Sequence, residues 1–134
     1  MDRRFHAFIV IYTLELESLK RRLREKVMRY REDYDMGSIT KYVFQENRAL
    51  LENEITGLDN YIYEVHKLDM AKYSGLGEFR DAINALNERL CSEGGIARPA
   101  AILAKRKVDG IVSYFIESER ADEDYFSTIG HKRE

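Results

Sequence analysis

The chain has 134 residues, 44% hydrophobic and 34% charged, with one proline and eight glycines; it is too apolar for a disordered chain, too poor in turn residues for a many-stranded sandwich, and of a length that suits one domain. A formal net charge of −2 and a pI of about 6.0 give no bulk attraction toward nucleic acid or an anionic membrane. The single cysteine, Cys91, excludes an internal disulfide and fits a reducing compartment, so a cytoplasmic protein is expected.

The N-terminal run MDRRFHAFIVIYTLELE places two arginines ahead of an apolar stretch, but Glu15 and Glu17 follow closely and no small-residue cleavage site appears. It does not read as a signal peptide, and it is shorter than the ~20 apolar residues of a membrane-spanning helix. Phe5, Ile9, Tyr12, Leu16, Leu19, Leu23, Val27, Tyr30 and Tyr34 recur at steps of three and four, which predicts a long first helix with one buried seam. Phe8, Val10, Ile11 and Leu14 widen its N-terminal end, so that end should be covered on more than one side. The β-branched and aromatic FIVIY also fits a short strand, although the helical period runs through it.

REDYDMGS breaks the pattern, and Ser38 is the expected N-cap of a second helix. Leu51, Ile55, Leu58, Ile62 and Val65 give its seam, with Ile39, Val43 and Phe44 before and Leu68 after, and the apolar period predicts a helix continuing to Tyr73. Gly57 inside it implies a bend or close packing, since a mid-helix glycine costs about 1 kcal/mol relative to alanine. SGLG then leads to a shorter third helix through Phe79, Ile83, Leu86 and Leu90, which ends at Gly94 and Gly95 as positive-φ C-cap residues. Pro99 suits the first turn of a fourth helix carrying Ala104, Val108, Ile111, Val112, Phe115 and Ile116.

These elements predict an all-α antiparallel four-helix bundle, with two long N-terminal helices forming a coiled-coil-like hairpin and two shorter C-terminal helices. The bundle domain is expected over residues 1–123, with residues 124–134 a charged, partly frayed tail on which Tyr125, Phe126 and Ile129 could dock as a patch. The long hairpin should project beyond the short one, leaving seam for a second chain to cover, so a homodimer is expected.

Chemistry-bearing motifs are sparse. His6, His66 and His131 lie far apart, so no zinc spacing arises; Glu64 and His66, two residues apart, point to different sides of a helix and do not make a di-iron pair. No nucleophile elbow or phosphate loop occurs, and Cys91 beside Leu90 reads as a small buried thiol. No catalytic residue and no cofactor is expected. The densest charge signal, KRRLREKVMRYR, sets Lys20, Arg21, Arg22, Arg24, Lys26, Arg29 and Arg31 against Glu25 alone. Phosphate or nucleic-acid contact is conceivable there, with Tyr30 and Tyr34 for stacking. The reading favoured by a net charge that is not basic is a solvated helix flank paired with Glu46, Glu52 and Glu54. Arg48 falls in the helix-two stripe, where a polar residue fixes register or binds an anion.

VHKLDMAKYSGLGEF, with HKL, the later GLG and the following short helix FRDAINALNERL, resembles the histidine-containing phosphotransfer domains over about thirty residues. The resemblance implies a four-helix bundle in which His66 carries the phosphoryl group. Where that family has a lysine and a glycine, three and four residues after the histidine, this chain has Asp69 and Met70; the aspartate would repel the incoming group. The expected function is a non-enzymatic helical protein–protein interaction module, an adaptor, secretion-chaperone-like binder or assembly component, engaging a protein partner by helix packing. Phe5, Phe8, Ile9, Tyr12, Ile39 and Val43 are its expected contact surface. Histidine phosphotransfer through His66 and nucleic-acid binding through residues 20–31, with Arg21, Arg22, Arg24 and Arg48 as contacts, are the alternatives.

Overall fold

A computed structural model describes residues 3–133, with side chains for residues 4–118. The order is α1 (Arg3–Asp35), α2 (Lys41–His66), a 3-10 turn (Met70–Lys72), α3 (Leu76–Ser92) and α4 (Arg98–Arg133). FIVIY is helical, inside α1. Neighbours in sequence pack as antiparallel pairs, α1 on α2 and α3 on α4, and the two pairs meet to close a four-helix bundle.

The joints are set by local chemistry. α1 ends in a Schellman motif: Gly37 has φ 78°, Ser38 N–H donates to Asp33 O at 2.8 Å, and Gly37 N–H to Tyr34 O at 3.0 Å. The N-cap of α2 is Thr40, whose Oγ1 accepts from Val43 N–H at 3.2 Å. Ser38 is used up in closing α1 and does not cap α2. α2 stops at His66, short of the expected Tyr73, because Asp69 caps the 3-10 turn through Ala71 N–H. At the end of α3 only Gly94 has positive φ, at 79°. Gly95 N–H closes a second Schellman motif on Leu90 O at 2.8 Å.

Gly57 is explained by close approach. A Cβ there would lie 3.0 Å from Ile96 Cα and 3.3 Å from Gly95 O, so the bare glycine lets the α3–α4 connection sit directly on α2.

The core fills the half of the molecule where all four helices overlap. Phe5 and Phe8 of α1 meet Phe79 of α3 at 5.4 and 5.7 Å between ring centroids, and Phe8 meets Phe115 of α4 at 6.4 Å. Through this core runs a buried hydrogen-bond chain joining every helix. Tyr12 Oη donates to Ala104 O at 2.9 Å; a carbonyl only accepts, so the 2.6 Å contact between the two phenols has Tyr61 donating to Tyr12. Asn87 donates an Nδ2 hydrogen to Ala101 O at 3.0 Å, tying α3 to α4. Burial first, then the neighbouring phenol, pushes the Tyr12 pKa far up, and burial pushes Tyr61 up to about 12.

α4, with 36 residues, is the longest helix, where a shorter one was expected, and only α3, with 17, is short beside the 33 and 26 of α1 and α2. The chain from 124 onward, expected to fray, continues α4 to Arg133. The expected docking of Tyr125, Phe126 and Ile129 lies outside the described side chains.

Candidate functional site

α1 and α2 continue past the bundle as a two-helix hairpin. α4 begins beside Leu19 and Leu23: Ala100 and Leu103 line a hollow of about 190 Å³ with Arg22, Lys26, Glu54 and Leu58. Above it α1 runs on to Asp35, about 18 Å at ~1.5 Å per residue, with no helix laid over it. The hairpin's own seam is closed by Leu23, Val27, Leu51 and Ile55, half-buried, and at the tip by Tyr34 stacked on Phe44, 5.2 Å between centroids and 8° from parallel.

The seam leaves two flanks. One continues the face that α3 and α4 cover lower down. On α2, Val43 and Leu50 stand at heptad spacing above Gly57, which touches the α3–α4 connection, and share its side of the helix; they are 36% and 59% exposed. On α1, Arg22, Lys26 and Arg29 follow one another at i, i+4 and i+7, bordering Leu23 and Tyr30, and a shallow depression of about 320 Å³ lies among Lys26, Arg29, Tyr30 and Asp33. This flank is an apolar shelf with a basic edge. The other flank holds a groove of about 440 Å³ lined by Val27, Met28, Arg31, Phe44, Arg48 and Glu52, which runs into a second of about 470 Å³ with Arg24, Ile55 and Thr56.

The charges sort differently from the sequence expectation. Lys20 is buried and bonded to Asp59 of α2, with Glu17 at 3.0 Å. Burial works against its charge, but those carboxylates prevail and hold its pKa above the ordinary value. The cross-helix partner is therefore Asp59, nearer the bundle than the expected Glu46, Glu52 and Glu54. Arg31 pairs with Asp35 at 3.9 Å and Arg48 with Glu52 at 2.9 Å, each within its own helix. Arg48 is exposed on the groove flank; the inner position is taken by Asn47, bonded to Val43 O. Among the described residues, Arg21, Arg22, Arg24, Lys26 and Arg29 have no ion-pair partner. They do not form one patch, because Arg24 belongs to the groove and Arg22, Lys26 and Arg29 to the shelf. Tyr34 is spent on Phe44.

Phe5, Phe8, Ile9 and Tyr12 are not a contact surface. Phe8 and Tyr12 have no exposure, and Phe5 and Ile9 almost none: the wide apolar end of α1 is covered within the chain by Phe79 and Phe115. Ile39 is half-buried in the α1–α2 connection, and of the six Val43 alone stands on an open helix face. Leu50, Met28 and Leu103 are the surface residues the sequence reading missed. Leu50 sits seven residues from both Val43 and Gly57, a signal visible in the sequence.

His66 is the last residue of α2, exposed, with Nε2 3.0 Å from Thr13 Oγ1. Lys67 lies 3.6 Å from Glu64 and over the Tyr63 ring, and Asp69 is engaged as a cap. Cys91 is half-buried against the core. Among the described residues no group of three or more histidine, cysteine or acidic side chains is placed to hold a metal ion, and no helix is long and apolar enough to cross a membrane. Compared with protein-family models, with curated proteins and with solved structures, the chain matches none.

Proposed function

We propose that this is a non-enzymatic, self-associating protein–protein interaction module of the cytoplasm, an adaptor or assembly component, and that its contact surface is the shelf of the projecting hairpin. The observation that carries this reading is the continuation of the bundle-facing side of α2 above the α3–α4 connection: Val43 and Leu50 repeat the spacing that leads to Gly57, but stand in solvent. An apolar helix face without cover, edged by cations that lack carboxylate partners within the described chain, has the composition of a helix-docking site.

Leu50→Glu and Val43→Glu test it. Both side chains are exposed, so the fold should tolerate the changes, read as unchanged far-ultraviolet circular dichroism and an unfolding midpoint within about 0.5 kcal/mol. Solution mass by sedimentation should fall toward that of a single chain, and partner capture should weaken. Unchanged mass and unchanged capture with both substitutions in place would reject the surface.

A further inference from the structure

We infer that the shelf takes the C-terminal part of α4 from a second copy of this chain; this rests on the contact surface proposed above and names its occupant. The first argument is length. α4 is level with Phe8 at Phe115 and continues to Arg133, whereas α1, running the other way, ends at Arg3. The end of α4 therefore extends past the start of α1 by about 20 Å at ~1.5 Å per residue, close to the ~18 Å of uncovered hairpin above Leu23. The second is charge. Glu119, Asp122 and Glu123 follow at i, i+3 and i+4 on this part of α4, with Phe126 at i+7, and the shelf edge offers Arg22, Lys26 and Arg29 at i, i+4 and i+7 beside the apolar Leu23, Val43 and Leu50. Acidic helix with an aromatic meets basic edge with an apolar floor.

The third argument is direction. Within its own chain α4 packs antiparallel to α1, and a second copy stacked in the same orientation lays its α4 end along the upper part of α1 in that same sense. The hairpin thereby regains the layer it loses where its own α4 begins. Such a contact is heterologous, leaving a free shelf at one end and a free α4 end at the other. Association proceeds as a concentration-dependent series of masses, of which the dimer is the first member.

The test is a charge exchange read by sedimentation on the full chain. One variant carries Arg22→Glu, Lys26→Glu and Arg29→Glu; the other carries Glu119→Lys, Asp122→Lys and Glu123→Lys. Each alone should associate at least about tenfold more weakly than the native chain, and an equimolar mixture should recover it to within about threefold, with association of the native chain and of the mixture weakening as salt is raised. On the native chain, zero-length carbodiimide coupling of mixed light and heavy-isotope copies should join Lys26 of one copy to Glu119, Asp122 or Glu123 of another, whatever the folding of the variants. A native chain that stays monomeric overturns both this inference and the self-association it rests on. A native chain that associates while both variants do so equally well, or a mixture that fails to recover, overturns the inference and leaves the shelf open to a different occupant.

Discussion

The buried chain of hydrogen bonds from Tyr61 through Tyr12 to Ala104 has a direction, and the direction fixes how its loss should add up. Tyr61→Phe removes the O–H that donates to Tyr12, whose own O–H stays on Ala104 O, at a cost of about 0.5–1.5 kcal/mol. Tyr12→Phe leaves the Tyr61 O–H without an acceptor, at about 1–3 kcal/mol, while Ala104 O keeps its helical donor. In the double variant there is no Tyr61 O–H to orphan. Its cost should match that of Tyr61→Phe alone, a coupling of roughly 1–2 kcal/mol between the sites. Guanidinium unfolding midpoints at constant slope measure it; costs that add to within about 0.5 kcal/mol would refute the assigned direction. Alkali provides a second arm. Tyr61 is raised from 10.0 to about 12 and Tyr12 is raised further, so above pH 10 the unfolded chain releases protons that the folded chain holds. Stability should be full below pH 10 and fall between 10 and 12, by up to about 1.4 kcal/mol per pH unit for each tyrosine. The Phe variants should flatten that fall, and an equal slope in all four proteins would contradict it.

Phe8→Ala should cost about 3–5 kcal/mol, because Phe8 is enclosed by Phe79, Phe115 and Tyr12, whereas Val43→Ala should leave the folded chain within about 0.5 kcal/mol; similar thermal shifts for the two would put Phe8 outside the core. Gly57→Ala gains up to ~1 kcal/mol of helix propensity but drives a Cβ into Ile96 Cα and Gly95 O. A net loss of about 1–2 kcal/mol in urea unfolding is expected, and a stabilised variant would show that the α3–α4 connection gives way.

Periodicity located the helices because each needs one apolar stripe, and the steps of three and four from Phe5 to Tyr34 follow α1 to its last turn. It failed at ends, where the deciding groups are single polar atoms. Ser38 is the expected cap, but the Schellman closure of α1 takes it, and Thr40 two residues on caps α2 instead. Leu68 prolongs the stripe of α2 although Asp69 has begun a new turn. The contact surface was misplaced for a different reason: amphipathic width signals cover, and the identity of the cover depends on tertiary partners. Phe79 and Phe115 supply it for Phe5 and Phe8, leaving Leu50 and Val43, on a thinner stripe, open. Lys20 reads as one more cation in a basic run, yet it lies on the α2 side of α1, where Asp59 meets it.

The hairpin and the bundle differ in how they can open. Below Leu23 a backbone amide is shielded by four packed helices and one continuous core, so its exchange with solvent requires the whole domain to unfold. Above it, the α1–α2 seam alone resists, and the tip can separate as a local unit while the base stays intact. An occupant of the shelf would add the missing layer there and nowhere else. Bound and free protein would then differ in amide exchange along the upper hairpin, with the amides around Tyr12 and Tyr61 exchanging at the same slow rate in both.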